Sequence, residues 1–183
     1  MIVNRNPHAI LKNQRPCVIW LTGLPGSGKS TIANLLEQHL QAAGKHTCLL
    51  DGDDIRRGLS KDLGFSIADR AENIRRVAQT ARLMTDAGLI VIVSLVSPFQ
   101  AERQAARTLF ELGEFIEVFV NAPLAVCEQR DPKGLYRKAR NGEIKNFTGL
   151  DSPYEPPAKP ELILLTAETT PDQAAQQVLD YLM

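Results

Sequence analysis

An α/β fold is predicted, a parallel sheet doubly wound with helices on both faces, and three observations of the 183-residue sequence predict it. Short apolar runs alternate with helix-length amphipathic segments, the pattern of strand–helix–strand units. The runs are apolar at successive rather than alternate positions, as strands covered on both faces are. With 44% hydrophobic residues the chain can fill one core and is short for two.

Residues 1–15 are polar, with Asn4, Arg5, Asn6, Lys12 and Asn13, and lack the apolar run of a secretory signal. No stretch of about 18 apolar residues follows, so the expectation is a soluble, cytoplasmic protein with a single domain over 16–183 and no membrane contact. Strands are expected at 18–22, 47–50, 89–95, 115–120 and 162–165. Between them, helices are expected at 29–42, 70–87, 100–109, 123–130 and 172–182, the fourth opened by Pro123. In the second, Ile74, Val77, Ala78, Ala81 and Met84 recur at helical spacing. Its start fits two capping-box frames, Asp69 with Glu72 or Ser66 with Asp69. Residues 131–160, rich in proline, glycine and charge, break the alternation and read as a long loop acting as a lid.

Lys plus Arg equals Asp plus Glu at 21 each, so no global field favours nucleic acid or an anionic membrane, and any phosphate binding must be local. Cys17, Cys48 and Cys127 are widely spaced beside apolar stretches and read as buried, reduced thiols of a reducing compartment.

Gly23-Leu24-Pro25-Gly26-Ser27-Gly28-Lys29-Ser30, followed by Thr31, fills every position of the phosphate-binding loop between a strand and a helix. Backbone N–H groups and the helix dipole would converge there on one anion. Lys29 would reach the β- and γ-phosphates of ATP, and the Ser30 hydroxyl would ligate Mg²⁺. No N-K-x-D guanine-reading segment is present, and motor ATPases usually need more machinery than one nucleotide fold and a lid. A P-loop kinase-like fold acting on a small molecule is the class that remains. Residues 130–145 carry Arg130, Lys133, Arg137, Lys138, Arg140 and Lys145 against Asp131 and Glu143, a basic segment suited to closing over anions or else a solvated helix face.

Asp51-Gly52-Asp53-Asp54 follows the second strand, where ligands of open α/β sheets collect. One carboxylate can help hold Mg²⁺ and another can accept a hydroxyl proton. An Asx turn capping a short helix fits the same residues.

These segments resemble the adenylylsulfate kinase family over about residues 17–155. Besides the loop and Asp51-Gly52-Asp53 with Arg56, the resemblance rests on Gly64-Phe65-Ser66, Asp69-Arg70, Glu72-Asn73-Ile74-Arg75-Arg76 and Ser97-Pro98-Phe99. It continues through Phe115-Ile116-Glu117-Val118, Asp131-Pro132-Lys133-Gly134-Leu135-Tyr136 and Lys145-Asn146-Phe147-Thr148-Gly149 to Asp151-Ser152-Pro153-Tyr154-Glu155. The resemblance implies a Mg²⁺-dependent homodimer of sulfate assimilation that phosphorylates the 3′-hydroxyl of adenylylsulfate from ATP, with possible coupling to an ATP sulfurylase. It implies that Arg56, Arg70 and Asn73 bind the phosphosulfate and that Phe65 and Phe147 sandwich the adenine, ordinary core packing being the alternative for the two rings. Lys133 and Leu135 would contact substrate, Arg130 would lie on the ATP side, and Asp51 would serve both substrate and metal. Lys29 and Asp53 are the expected catalytic groups. Ser97 matches a serine assigned as a phosphoserine intermediate; with Pro98 favouring an extended backbone, it is expected instead to bond substrate or orient its loop. Asp54, Pro25 and Ser94-Leu95-Val96 depart from the family pattern without removing a catalytic group. The rivals are a kinase of another metabolite and a non-catalytic sulfonucleotide-binding module.

Overall fold

The first strand decides the architecture of the computed structural model, which describes residues 7–182; Asn4, Arg5 and Asn6 lie outside the described residues. In order, the elements are α1 (Pro7–Lys12), β1 (Cys17–Thr22), α2 (Lys29–Ala42), β2 (Thr47–Asp51), α3 (Gly52–Arg57), α4 (Ile67–Asp86), β3 (Ile90–Ser94), α5 (Gln100–Arg107), β4 (Phe115–Asn121), α6 (Leu124–Arg130), α7 (Leu135–Arg140), β5 (Leu162–Leu165) and α8 (Pro171–Leu182). Every residue of β1 is buried, and because side chains alternate across a strand, Ile19 and Leu21 enter one core while Val18 and Trp20 enter another. Apolar residues on both faces call for helices on both faces, and the parallel order β2-β3-β1-β4-β5 places β1 at the centre. Ile32, Leu36 and Leu40 of α2 with Ala174 and Val178 of α8 cover the first face. Ile74, Val77 and Ala81 of α4 with Ala106 of α5 cover the second.

Away from the sheet a third apolar cluster joins Cys127 of α6, Tyr136 of α7 and Phe147, with Leu24 of the phosphate loop packed against it. The sheet's carboxyl edge thus carries its own layer.

Four expectations change. Residues 7–12 of the polar N-terminus form a helix, and Gln14 Nε2 then donates to the carbonyls of His46 and Gly88 at 2.9 and 2.8 Å. Helix α4 begins at Ile67 because the Ser66–Asp69 frame forms, Ser66 Oγ accepting from Asp69 N while Asp69 Oδ2 accepts from Ser66 N. The 131–160 segment is not all loop: Asp131 caps α7 by accepting from the backbone N–H groups of Tyr136 and Arg137 at 3.0 and 3.1 Å. Ser97 is not extended, and its φ of 39° lies in the left-handed region. The cysteines are free.

Candidate active site

The phosphate loop leaves β1 at Thr22 and enters α2 at Lys29, so the sheet aims it at the carboxyl edge. It needs glycine where neighbours crowd it. A Cβ on Gly23 would stand 2.4 Å from the Val120 carbonyl, and one on Gly26 2.9 Å from that of Cys127. Gly28, with φ 105°, is the residue from which α2 starts. Lys29 Nζ is buried and donates to the carbonyls of Gly23 and Leu24 at 2.9 and 2.8 Å. Burial pushes its pKa down to about 8. Arg130 reaches the Ser27 carbonyl at 3.3 Å, which Thr166 Oγ1 also bonds at 2.9 Å, and Thr31 is exposed in the first turn of α2. Tyr136 donates its hydroxyl to the Pro25 carbonyl at 2.9 Å, tying α7 to the loop.

Ser30 Oγ donates to Asp51 Oδ2 at 2.6 Å, and Asp51 Oδ1 accepts from Asp53 N at 3.0 Å. Asp51 therefore caps α3 with one oxygen, as the Asx-turn reading has it, and meets the loop with the other. Asp53 pairs with Lys133, which brings the 131–160 segment over the end of β2.

On the far side, Arg70 draws two segments onto α4 through hydrogen bonds from Nε to the Phe65 carbonyl at 3.0 Å, from Nη1 to Thr148 Oγ1 at 2.5 Å and from Nη2 to the Asn146 carbonyl. The Arg56 guanidinium lies 4.7 Å from the Phe65 ring centroid and donates to the Gly64 carbonyl. Burial first, then the neighbouring Arg70 charge, lowers the Arg56 pKa. Among the described residues the guanidinium hydrogen bonds of these two cations go to carbonyl and hydroxyl oxygens, with Asp69, Asp151 and Glu102 acting through space, a setting that leaves room for an anion. Asn73 is buried with Oδ1 lacking a partner among the described residues.

The two phenylalanines part company. Phe65 is 67% exposed, whereas Phe147 is 8% exposed and edge-on to Tyr136 at 4.9 Å between centroids, so core packing describes it here. Leu135 packs against the same cluster. Ser97 is buried; its Oγ accepts from the Trp20 indole at 3.1 Å, and its carbonyl accepts from Arg103 at 2.5 Å. Those long-range bonds overcome the extended preference set by Pro98.

A sequence model described as Adenylylsulphate kinase matches residues 15–165. The chain belongs to the adenylylsulphate kinase family. It is 57% identical over 180 residues to an adenylyl-sulfate kinase of Marinobacter nauticus, covering 98% of this chain and 90% of that one. It is 61% identical over 180 residues to the bifunctional enzyme NodQ of Rhizobium sp. strain N33, covering 98% of this chain and only 27% of that protein's length. Among solved structures, the Mycobacterium tuberculosis APS kinase CysC in complex with AMPPNP and APS superposes with a TM-score of 0.88 and 49% identity, covering 91% of this chain and 97% of that one.

In this member of the adenylylsulphate kinase family the contacts of several residues around the site escape motif reading. Tyr154 shares a 3.0 Å hydrogen bond with Thr22 Oγ1 and stacks on Phe119 at 6.0 Å, and Arg103 pairs with Glu117 at 2.8 Å. One signal was available: Glu117 interrupts the apolar run Phe115 to Val120, and a carboxylate there requires a buried cation. Arg103 and Arg107, four residues apart on α5, supply it.

Proposed function

We propose that the protein is an adenylylsulfate kinase, transferring the γ-phosphoryl group of ATP to the 3′-hydroxyl of adenylylsulfate to give 3′-phosphoadenylylsulfate and ADP. The observation that carries the choice of acceptor is the Arg70 cluster. One guanidinium binds Phe65, Asn146 and Thr148, and so places a second cation, Arg56, and an exposed ring at one mouth. Guanidinium forks suit a phosphosulfate and the Phe65 face suits an adenine. Phe147 would support that surface from beneath, and Asn73, Leu135 and Ser97 would shape it.

Gly23 to Thr31 and Arg130 would hold ATP. The donors Ser30 and Asp51 fit Mg²⁺, since a hydroxyl and a carboxylate already 2.6 Å apart are hard oxygen ligands at the mouth of the loop. When bound, the ion neutralises charge on the transferring phosphate. Lys29 would exchange its bonds to Gly23 and Leu24 for phosphate oxygens. Asp53 would accept the 3′-hydroxyl proton as that oxygen attacks the γ-phosphorus and ADP leaves. Lys133, paired with Asp53, would turn to the substrate, while the lid held by Tyr136 on Pro25 excludes water. A cytoplasmic homodimer coupled to ATP sulfurylase completes the reading. Free cysteines support the compartment, and bifunctional relatives support the coupling.

The test is ADP release with a panel of acceptors. Turnover is expected with adenylylsulfate and Mg²⁺, and none with AMP, shikimate or gluconate or after chelation. Equal turnover of AMP would remove the phosphosulfate from the assignment.

A further inference from the structure

Arg103 takes no part in the transfer described above, yet it is 1% exposed and, among the described residues, only Trp20 is a larger fully buried side chain. Its guanidinium serves three separate segments. Nε donates to Glu117 Oε1 of β4 at 2.8 Å, Nη1 to the Ser97 carbonyl at 2.5 Å, and Nη2 to the Glu155 carbonyl at 2.7 Å. The cation also lies 5.8 Å from the centroid of Tyr154, whose hydroxyl meets Thr22 immediately before the phosphate loop. Glu155 is fixed twice more: its N–H donates to the Pro98 carbonyl, and its Oε2 accepts from Gln100 N.

The segment 146–155 is consequently strung between two arginines. Arg70 holds Asn146 and Thr148 at one end, and Arg103 holds Glu155 at the other. Its interior is stiffened by the Asp151 carboxylate, which accepts from the N–H groups of Asn146 and Phe147, and by Gly149 N donating to the Ser152 carbonyl at 2.8 Å. A displacement of Glu155 is therefore passed along a braced strap to the Arg70 cluster. We propose that Arg103 is a positioning residue for the acceptor half of the site: by fixing the far end of the 146–155 strap it sets where Arg70 and Phe147 stand relative to the phosphate loop. This rests on the adenylylsulfate kinase reading and adds to it a residue that touches no substrate.

A buried ion pair alone does not explain the arrangement. Glu117 has a second cation, Arg107, at 3.3 Å, and buried pairs are often replaceable by neutral side chains without loss of stability. What a lysine or a neutral side chain cannot supply is the planar fork that reaches three oxygens in three directions.

The experiment compares wild type, Arg103→Lys and the charge-balanced double variant Arg103→Met with Glu117→Gln. Thermal melts establish folding, and calorimetry gives ADP affinity. Steady-state assays give the KM of each substrate, and hydrogen exchange follows the amides of 146–155. The expected result is a folded double variant with unchanged ADP affinity, a KM for adenylylsulfate raised about tenfold or more, a smaller change in kcat, and faster exchange across 146–155 but not in α2. Arg103→Lys, which keeps the charge, should share the KM rise, and it carries the comparison alone if the double variant does not fold. A folded variant with wild-type KM for adenylylsulfate, or equal rises in both KM values, overturns the proposal. If wild type itself does not turn over adenylylsulfate, the functional reading fails, while unaltered exchange across 146–155 in the variants would sink the strap argument separately.

Discussion

Folding and nucleotide binding make opposite demands on one ammonium group, that of Lys29. Its pKa is lowered by burial from an ordinary 10.5 to about 8, so between those values the unfolded chain holds a proton that the folded chain has released. Stability therefore rises with pH across that window, the charged form being the one that burial penalises below it. A bound polyphosphate reverses the preference and draws the proton back. Nucleotide affinity should accordingly fall as pH rises above about 8, approaching tenfold per unit, with proton uptake visible by calorimetry in buffers of different ionisation heat. In Lys29→Met the affinity should be weak and flat across the same range; a flat profile in wild type would contradict the assignment. Ser97 offers a second residue-level test. Its hydroxyl oxygen accepts from the Trp20 indole, a donor that cannot take its proton, so an activated nucleophile is not what the geometry provides. Ser97→Ala should retain measurable turnover with inversion at phosphorus. Retention, with label from γ-labelled ATP chasing from enzyme into product, would reverse that conclusion.

Individual elements show what can be read in advance and what cannot. The five strands were legible to within a residue or two because each is a short apolar run: β1, β3 and β4 are covered on both faces, while edge strand β5 keeps its apolar residues although Ile163 and Leu165 stay exposed. The phosphate loop was legible because its glycines answer backbone constraints that are local. Helix α7 was not, since its six residues contribute only Leu135, Tyr136 and Ala139 to the third cluster, too few for a period, and its cap is an aspartate outside the helix. The strained Ser97 was hidden for another reason: Trp20 and Arg103, which hold it, are remote in sequence and only the fold brings them together. The start of α4 stood between, with two frames of equal chemical merit. Since Ser66 and Asp69 form the box, Ser66→Ala should cost about 1 kcal/mol, read as a melting temperature lower by roughly 2–4 °C, while Glu72→Ala should leave the cap intact. The Glu72 carboxylate pairs with Arg75 and Arg76 instead, so an unchanged melting temperature in Ser66→Ala is the result that would return the alternative frame.

On the scale of the whole molecule, apolar burial is divided between two large clusters that share the sheet and one small cluster that does not. Loss of either large cluster unfolds the sheet, because each uses alternate residues of β1. The small one joins α6, α7 and Phe147 to Leu24, and opening it leaves β1 covered. The chain should therefore possess two cooperative unfolding units of unequal size. Amides of α7 should exchange through an opening with a shallow dependence on urea, since little surface is exposed, while those of β1 should wait for the steep global event. A single slope shared by α7 and β1 would mean that the segment over the active site melts only with the sheet. Two slopes would give the protein a segment able to open over the phosphate loop at a fraction of the free energy needed to unfold it.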